Sequence, residues 1–141
     1  MKVDSIKNGF VIDHIPAGKS MELYSLLGLE ELDCQIAIIK NAPSRLMGKK
    51  DIIKIDADIE LSLEVIGFFD SDITVNTIKN EELVSKTHME LPLKVENVCK
   101  CKNPRCITST EQELSHIFRL TDRENKVYRC LYCDSKLKSF I

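Results

Sequence analysis

Short runs of apolar residues recur along the first 90 positions, and their spacing changes between strand and helix periods. Alternating or β-branched runs predict strands at residues 10–15, 35–40, 51–56, 73–78 and 83–87. Helical spacing predicts helices at 19–27, ended by Gly28, and at 59–69, capped by Asp58. Turns are expected at Pro43 to Gly48 and at Asn80-Glu81. The order β-α-β-β-α-β, with one extra strand, predicts an α+β fold with both helices on one face of an antiparallel sheet, the ferredoxin-like arrangement.

The hydrophobic pattern breaks at Glu90-Leu91-Pro92-Leu93, immediately before a segment rich in cysteine. Charge changes there too, since residues 1–93 hold ten Lys and Arg against sixteen Asp and Glu, whereas residues 94–141 hold ten against six. We therefore expect two domains, at 1–92 and 93–141. The chain has no run of 18 apolar residues and no signal-peptide core after Met1, so a cytoplasmic location is expected.

Four of the six cysteines form two pairs, Cys101-x4-Cys106 and Cys130-x2-Cys133, with 23 residues between the pairs. Each pair is expected to form a tight loop, here called a knuckle, and two knuckles can supply four thiolates to one tetrahedral ion. Strands are expected at residues 117–120 and 126–129 between them. With every coordination position filled by protein, the pattern predicts one structural Zn²⁺ that this short domain needs in order to fold.

Three points about the cysteines remain open at the level of sequence. Iron in a rubredoxin-like centre would use the same four ligands. Cys99, two residues before Cys101, is an alternative ligand, although a Cys-x-Cys pair would strain the knuckle. Cys34 is interpreted as a small core residue at the start of a strand.

A second group of candidates lies on the predicted strands of the first domain. Lys54 interrupts an apolar run, Asp13-His14 ends the first strand, and Lys86 lies on the last. Lys54 by itself is more typical of a solvated edge lysine than of an anion-binding residue. If the strands pair as expected, these side chains converge and offer cations for phosphates and a carboxylate for hydroxyl or amino groups. The chain has no glycine-rich phosphate loop and no catalytic triad, and His88 and His116 are expected to be isolated surface residues.

Several strings of residues together resemble the regulatory chain of aspartate carbamoyltransferase. They are Gly9-Phe-Val-Ile-Asp-His-Ile-Pro-Ala17, Pro43-Ser44 with Met47-Gly-Lys-Lys-Asp-Ile-Ile-Lys-Ile55, Thr74-Val-Asn76 and the two knuckles. The similarity covers nearly the whole chain in the same order.

The resemblance implies a non-catalytic subunit in the allosteric control of pyrimidine biosynthesis. An N-terminal domain would bind ATP or CTP, a C-terminal zinc domain would contact the catalytic chain, and regulatory chains would form homodimers. Carried over residue by residue, it implies that Asp13 meets the ribose or base, Lys54 the base and ribose, and Lys86 the phosphates. His14 and Lys50 would be secondary phosphate contacts, and Ile6 and Leu83 would line the base pocket.

Two other classes of function can be compared with the same sequence. Basic residues around the knuckles are compatible with a zinc ribbon that binds nucleic acid, and these are Lys100, Lys102, Arg105, Arg119, Arg123, Arg129, Lys136 and Lys138. However, the excess of about +4 in this segment falls to about +2 once four thiolates and Zn²⁺ are counted, which is little for a phosphate backbone. An enzyme is the third class considered, but the sequence shows no recognisable set of catalytic residues.

Overall fold

The computed structural model describes residues 6–137 and separates the chain into two compact units, the first ending at Glu90 and the second beginning at Leu91. The α+β prediction is confirmed, because the first unit contains an antiparallel sheet with few helices and the second is a small, separate β unit. Within residues 6–137, no helix is both long enough and apolar enough to cross a membrane.

The first unit has five strands and two helices. They are β1 (Gly9–Pro16), α1 (Ser20–Leu26), β2 (Gln35–Ser44), β3 (Gly48–Asp56), α2 (Leu63–Phe69), β4 (Thr74–Lys79) and β5 (Glu82–His88). A 3₁₀ turn at Leu29–Glu31 follows α1. The strands lie in the order β2-β3-β1-β4-β5, and each neighbouring pair is antiparallel. The first strand in sequence is therefore the central strand of the sheet.

A bulge in β1 sets which of its side chains reach the core. Ile12 pairs with Ile53 but Ile15 pairs with Asp51, so β1 contains one extra residue, and His14 takes a left-handed φ of 60°. Residues three apart on a regular strand point to opposite faces. The bulge lets both Ile12 and Ile15 lie fully buried in the same core, together with Leu23 of α1 and Ile66 of α2.

Asp51 of β3 has a fully buried carboxylate that accepts hydrogen bonds from the loop before α1, from α1 and from β2. It accepts hydrogen bonds from the backbone N–H groups of Gly18 (3.1 Å), Ser20 (3.2 Å) and Asn41 (2.9 Å). Asn41 lies in a second bulge, on β2, with φ 59°. Asp51 thus caps the first turn of α1 from a neighbouring strand and fixes the bulge of β2.

Two sequence-based boundaries were wrong. Pro43, expected in a turn, lies inside β2, which tolerates it because β2 is an edge strand with one side free of ladder hydrogen bonds. The second helix begins at Leu63 and not at Ile59, because Ser62, in place of Asp58, caps it by accepting from the Val65 N–H.

Gly67, inside the second helix, is required by a close approach of backbone. A Cβ at this position would collide with the carbonyl oxygen of Glu90. The glycine therefore allows α2 to pack directly against the end of the first unit.

The second unit has three antiparallel strands in the order β6-β7-β8. Its elements are β6 (Lys94–Glu96), α3 (Ile107–Thr110), β7 (Ile117–Asp122) and β8 (Val127–Cys130). The sequence pattern indicated β7 and β8 but missed β6 and α3, which are three and four residues long. Phe118, Val95 and Tyr128 are buried, and the Tyr128 hydroxyl donates to the Pro92 carbonyl at 2.6 Å. The apolar core of this unit is small.

Replacing Asp51 with Asn should destabilise the first unit by about 2 kcal/mol at pH 7, because the amide NH₂ would face backbone donors and leave one without an acceptor. Burial raises the pKa of the Asp51 carboxyl, but hydrogen bonds from Ser20, Asn41 and Gly18 outweigh burial and hold its pKa below the usual value. This stabilisation is complete above the unfolded-state pKa of about 3.9 and is lost as the pH falls through the lower folded-state value. Asp51→Asn and the wild type should therefore converge in stability at acidic pH.

Hydrogen exchange of the β1 and β3 amides in urea, corrected for intrinsic rates at each pH, measures this difference. Asp58→Asn is the matched control, since Asp58 is exposed and the substitution should change stability by less than about 0.5 kcal/mol. Equal stability of both variants at pH 7 would contradict the role given to Asp51.

Candidate functional site

Five of the seven candidate nucleotide residues lie on the sheet face opposite the two helices, here called the open face, and they are Asp13, Lys50, Lys54, Leu83 and Lys86. Lys54 of β3 pairs with Val11 of β1, Val11 pairs with Asn76 of β4, and Asn76 pairs with Lys86 of β5. Paired residues of antiparallel strands point to the same face, so these four side chains form one row across the sheet. Three strand spacings place the Lys54 and Lys86 backbones about 14 Å apart, with Val11 and Asn76 between them.

Asp13 lies two residues from Val11 on the same face and forms an ion pair with Lys50. The Lys50 Nζ is 2.9 Å from Asp13 Oδ1, and both side chains are less than one-fifth exposed. The His14 N–H donates to Asp13 Oδ1 at 2.6 Å, and His14 Nδ1 lies 3.0 Å from Thr74 Oγ1. Burial raises the pKa of Asp13, but the hydrogen bonds from Lys50 and His14 outweigh burial and lower it. Asp13 is therefore a fixed carboxylate at neutral pH.

The two candidate apolar residues lie near the turn that joins β4 and β5. A bulge between Thr77 and Ile78 brings Leu83 opposite Ile78, which puts Leu83 on the open face, where its side chain is 62% exposed. Ile6 is buried, and the chain that follows it is held to this turn because the Lys7 carbonyl accepts from the Glu81 N–H at 2.9 Å. The open face thus has an apolar end near Leu83 and charged residues farther along.

Asn76 is a candidate contact that the sequence reasoning missed. Its Oδ1 is buried and has no hydrogen-bond partner among the described residues. An unsatisfied buried acceptor costs about 1–3 kcal/mol, and this one lies between the two lysines, one strand from Lys86 and two strands from Lys54. The strand pattern shows which face Asn76 occupies, but only the pairing of β1, β4 and β5 shows that it lies between two lysines.

The second unit gathers the two knuckles into one four-sulfur cluster. The Sγ atoms of Cys101, Cys106, Cys130 and Cys133 all lie within 4.8 Å of one another. The distance from Cys101 to Cys133 is 3.6 Å and that from Cys106 to Cys130 is 3.7 Å. A tetrahedral ion with metal–sulfur bonds of 2.3 Å requires sulfurs about 3.8 Å apart, so the cluster fits one such ion.

The surroundings of the cluster show why a cation belongs there. Burial raises the pKa of Cys101 to about 12 and also raises that of Cys130, so these thiols resist ionisation unless a positive charge is nearby. Burial also opposes ionisation of Cys133, but hydrogen bonds from Ser135 and Asn103 outweigh it and lower its pKa to about 6. A cation at the centre of the cluster would stabilise the ionised form of all four thiols.

The other cysteines and one histidine complete this region. Cys99 is buried but is not part of the four-sulfur cluster, and burial raises its pKa to about 11. Cys34 is partly buried and packs against the core of the first unit. The expectation that His116 is isolated was wrong, because its Nδ1 accepts a hydrogen bond from the Cys101 N–H at 3.1 Å. His88, by contrast, is exposed.

Apolar side chains are exposed on both knuckles. Ile107 directly follows Cys106 and is 50% exposed, while Leu131 and Tyr132, inside the second knuckle, are 43% and 45% exposed. These three residues adjoin the ligands of one cluster in sequence, and together they are here called the knuckle patch.

Some of the basic side chains near the knuckles are bonded to other residues of the chain. Arg119 forms an ion pair with the Asp134 carboxylate at 2.8 Å, and Arg129 donates to the Asp134 carbonyl at 3.1 Å. Lys138, counted among the basic residues in the sequence, lies outside the described residues. The described surface near the knuckles therefore carries fewer unpaired positive charges than the sequence suggested.

Comparison with known proteins agrees with both halves of this description. Residues 1–90 match the family model described as the aspartate carbamoyltransferase regulatory chain, allosteric domain, and residues 93–141 match its metal binding domain. The chain is 52% identical over 134 residues to the aspartate carbamoyltransferase regulatory chain of Clostridium botulinum, covering 95% of this chain and 92% of the relative. The regulatory chain of Clostridium tetani is 45% identical over 98% of this chain and 96% of its own length. That of Bifidobacterium longum is 40% identical over 98% and 99%.

The chain should bind one metal ion, and removing the ion should unfold the second unit while leaving the first intact, because the small β unit cannot bury enough apolar surface alone. Elemental analysis gives the stoichiometry, and hydrogen exchange after treatment with a mercurial and a chelator should show loss of protection in β7 and β8 but not in β3. Cys34→Ser is the control and should keep its metal. Full protection of β7 and β8 without metal would contradict a metal-dependent fold.

Proposed function

The chain belongs to the family of aspartate carbamoyltransferase regulatory chains, and on that premise we propose that its open face binds nucleotide effectors that act on the catalytic chain. The relatives are named as regulatory chains, so the subunit itself is non-catalytic and acts in the control of pyrimidine biosynthesis. We assign effector binding to residues 1–92, and metal binding with contact to the catalytic chain to residues 93–141.

The single observation that carries the effector proposal is the row of Lys54, Asn76 and Lys86 across one face, with the Asp13–Lys50 pair beside it. A nucleotide lying over Val11 and Asn76 is within reach of both lysines. Lys86 would meet the phosphates, with Lys50 and His14 as further phosphate contacts. Asp13 and Lys54 would meet the ribose and the base.

The apolar end of the open face suits the base of the nucleotide. Ile6 and Leu83 would line the base pocket, and 62% of the Leu83 side chain is available for contact. Rotation of the Asn76 side-chain amide toward the open face would let its unpaired Oδ1 accept from an amino or hydroxyl group of the effector, which would remove the cost of leaving it unsatisfied. ATP and CTP both carry such an amino group.

We infer the ferredoxin-like arrangement for the first unit. The strand order β2-β3-β1-β4 and the burial of Leu23 and Ile66 in one cluster, which puts α1 and α2 on the same face, support it. In this arrangement β5 is an addition to one edge. The added strand supplies both Lys86 and Leu83 to the open face.

We infer Zn²⁺ as the ion in the second unit, with a structural role. The support is a closed set of four thiolates with no position left for water or substrate, in sulfur geometry that suits a tetrahedral ion. None of the six cysteines, all within residues 6–137, forms a disulfide, which suits a reducing cytoplasm, where thiolate metal sites persist.

Two protein contacts belong to the proposal. The knuckle patch of Ile107, Leu131 and Tyr132 would face the catalytic chain, since exposed apolar groups held by a rigid metal site suit a permanent interface. A second copy of this chain would pair along the edge strand β2, whose segment 35–39 lacks the charges and proline that block edge pairing. Effector binding would then bias the assembled states by contacting them unequally.

Lys54→Ala and Lys86→Ala should each weaken nucleotide affinity by about tenfold or more, because each removes a charge-assisted contact. Titration calorimetry with ATP, CTP and UTP on the metal-loaded chain measures this. Lys79→Ala, at the exposed end of β4, is the matched control and should bind as the wild type does. Saturable binding that neither Lys54→Ala nor Lys86→Ala changes would move the effector site away from the open face.

Replacing Leu131 and Tyr132 together with Ser should abolish stable assembly with the catalytic chain, because it removes the apolar part of the knuckle patch. Sedimentation velocity of the chain alone and mixed with catalytic subunits is the measurement. The variant should retain its metal and its homodimer, which act as internal controls for folding. Normal assembly of the variant would contradict the role of the knuckle patch, and a monomeric wild type would contradict the inferred dimer.

A further inference from the structure

We propose that His116 is a positioning residue that makes Cys101, and not Cys99, the first metal ligand of the second unit. The inference rests on the proposed metal site and adds a selection step to it. Cys99 and Cys101 are separated by one residue and are both buried, yet only the Cys101 sulfur lies in the four-sulfur cluster. Something other than proximity along the chain must therefore separate them.

His116 is held rigidly where the chain leaves β6 for the first knuckle. Its N–H donates to Asn97 Oδ1 at 2.9 Å, and the Asn97 N–H donates to the His116 carbonyl at 2.8 Å. This pair continues the β6–β7 ladder by one step beyond Glu96 and Ile117. Asn97 has a left-handed φ of 57°, so the chain turns sharply there. The imidazole is thereby fixed beside the segment that contains both cysteines.

The imidazole then fixes the backbone at Cys101. The Cys101 N–H can only donate, so Nδ1 at 3.1 Å is the acceptor and the ring proton of the neutral side chain lies on Nε2. Residues 98–100 are therefore pinned at both ends, by the paired Asn97 and by the bonded amide of Cys101. In this conformation Cys101 Sγ lies 3.6 Å from Cys133 Sγ, within the tetrahedral edge length.

Without this hydrogen bond, a small rearrangement of the backbone around residues 98–101 would bring the Cys99 thiolate to the metal in place of the Cys101 thiolate. The other three ligands would stay in place. Outer contacts of this kind set the orientation of a ligand and typically change metal affinity by about 10–100-fold. His116 is thus the feature that makes a Cys-x-Cys sequence act as a single ligand position. Asn and Gln test this directly, since the Asn side-chain oxygen corresponds in position to Nδ1, whereas the Gln oxygen corresponds to Nε2.

The experiment uses the full chain loaded with Co²⁺, whose absorption spectrum distinguishes four thiolate ligands from three, together with Co²⁺ affinity from chelator competition. Cys99→Ser and Cys101→Ser are each made in three backgrounds: wild type, His116→Asn and His116→Gln. In the wild type and His116→Asn, Cys99→Ser should have no effect, and Cys101→Ser should lose the four-thiolate spectrum. In His116→Gln, Cys101→Ser should keep a four-thiolate spectrum through Cys99, and Co²⁺ affinity before any cysteine change should fall about tenfold.

The same dependence on Cys99 and Cys101 in all three backgrounds would overturn the proposal, even if His116→Gln weakened binding, because a purely structural histidine would change affinity but not ligand identity. A four-thiolate spectrum for Cys101→Ser in the wild type would overturn it as well. A wild-type chain that binds no Co²⁺ would instead refute the metal site on which the inference rests.

Discussion

The buried carboxylate of Asp51 is the constraint around which the first unit is organised. It accepts three backbone hydrogen bonds with no exposure to solvent, from the loop before α1, from α1 itself and from the bulge of β2. The adjacent Lys50 points to the opposite face and holds Asp13, at the bulge of β1. One dipeptide of β3 therefore fixes both the helix side of the sheet and the charged end of the open face. A nucleotide bound as proposed would compete with Asp13 for Lys50, and the residue next to Lys50 anchors the edge strand β2.

The second unit depends on a different kind of interaction for its stability. Its strands are short and its apolar core is small, so the four thiolates and the ion they would hold take the place of a larger core. The hydrogen bonds of Asn103, Ser135, Thr108 and His116 reach the knuckles or their backbone. In the folded unit they orient the sulfurs and hold the backbone of the knuckles that carry the knuckle patch. A rigid surface of this kind can transmit a change in orientation to a partner without deforming.

Most elements followed from periodicity, and the errors occurred where a local or tertiary contact outweighed it. Ile59 has helical spacing with Leu63 and Ile66 but lies before the helix, because Ser62 caps the helix after it, and both Ile59 and Leu61 pack against the core from this irregular segment. Pro43 was interpreted as a turn because sequence alone does not reveal which strand will lie at an edge. β6 and α3 are too short to show a period. His116 carries no local signal, since its partner lies 15 residues away.

The sequence by itself determined the α+β class, the four-cysteine pattern and the family, because strand alternation, ligand spacing and specific strings are properties of residues close together in the chain. Only the tertiary structure decided that Lys54, Asn76 and Lys86 share one row, that a bulge brings Leu83 onto the same face, and that Cys101 enters the cluster while Cys99 does not. Register, bulges and hydrogen bonds between distant residues set these features. A shift of one residue in the pairing of β3 or β5 would turn Lys54 or Lys86 to the other face of the sheet.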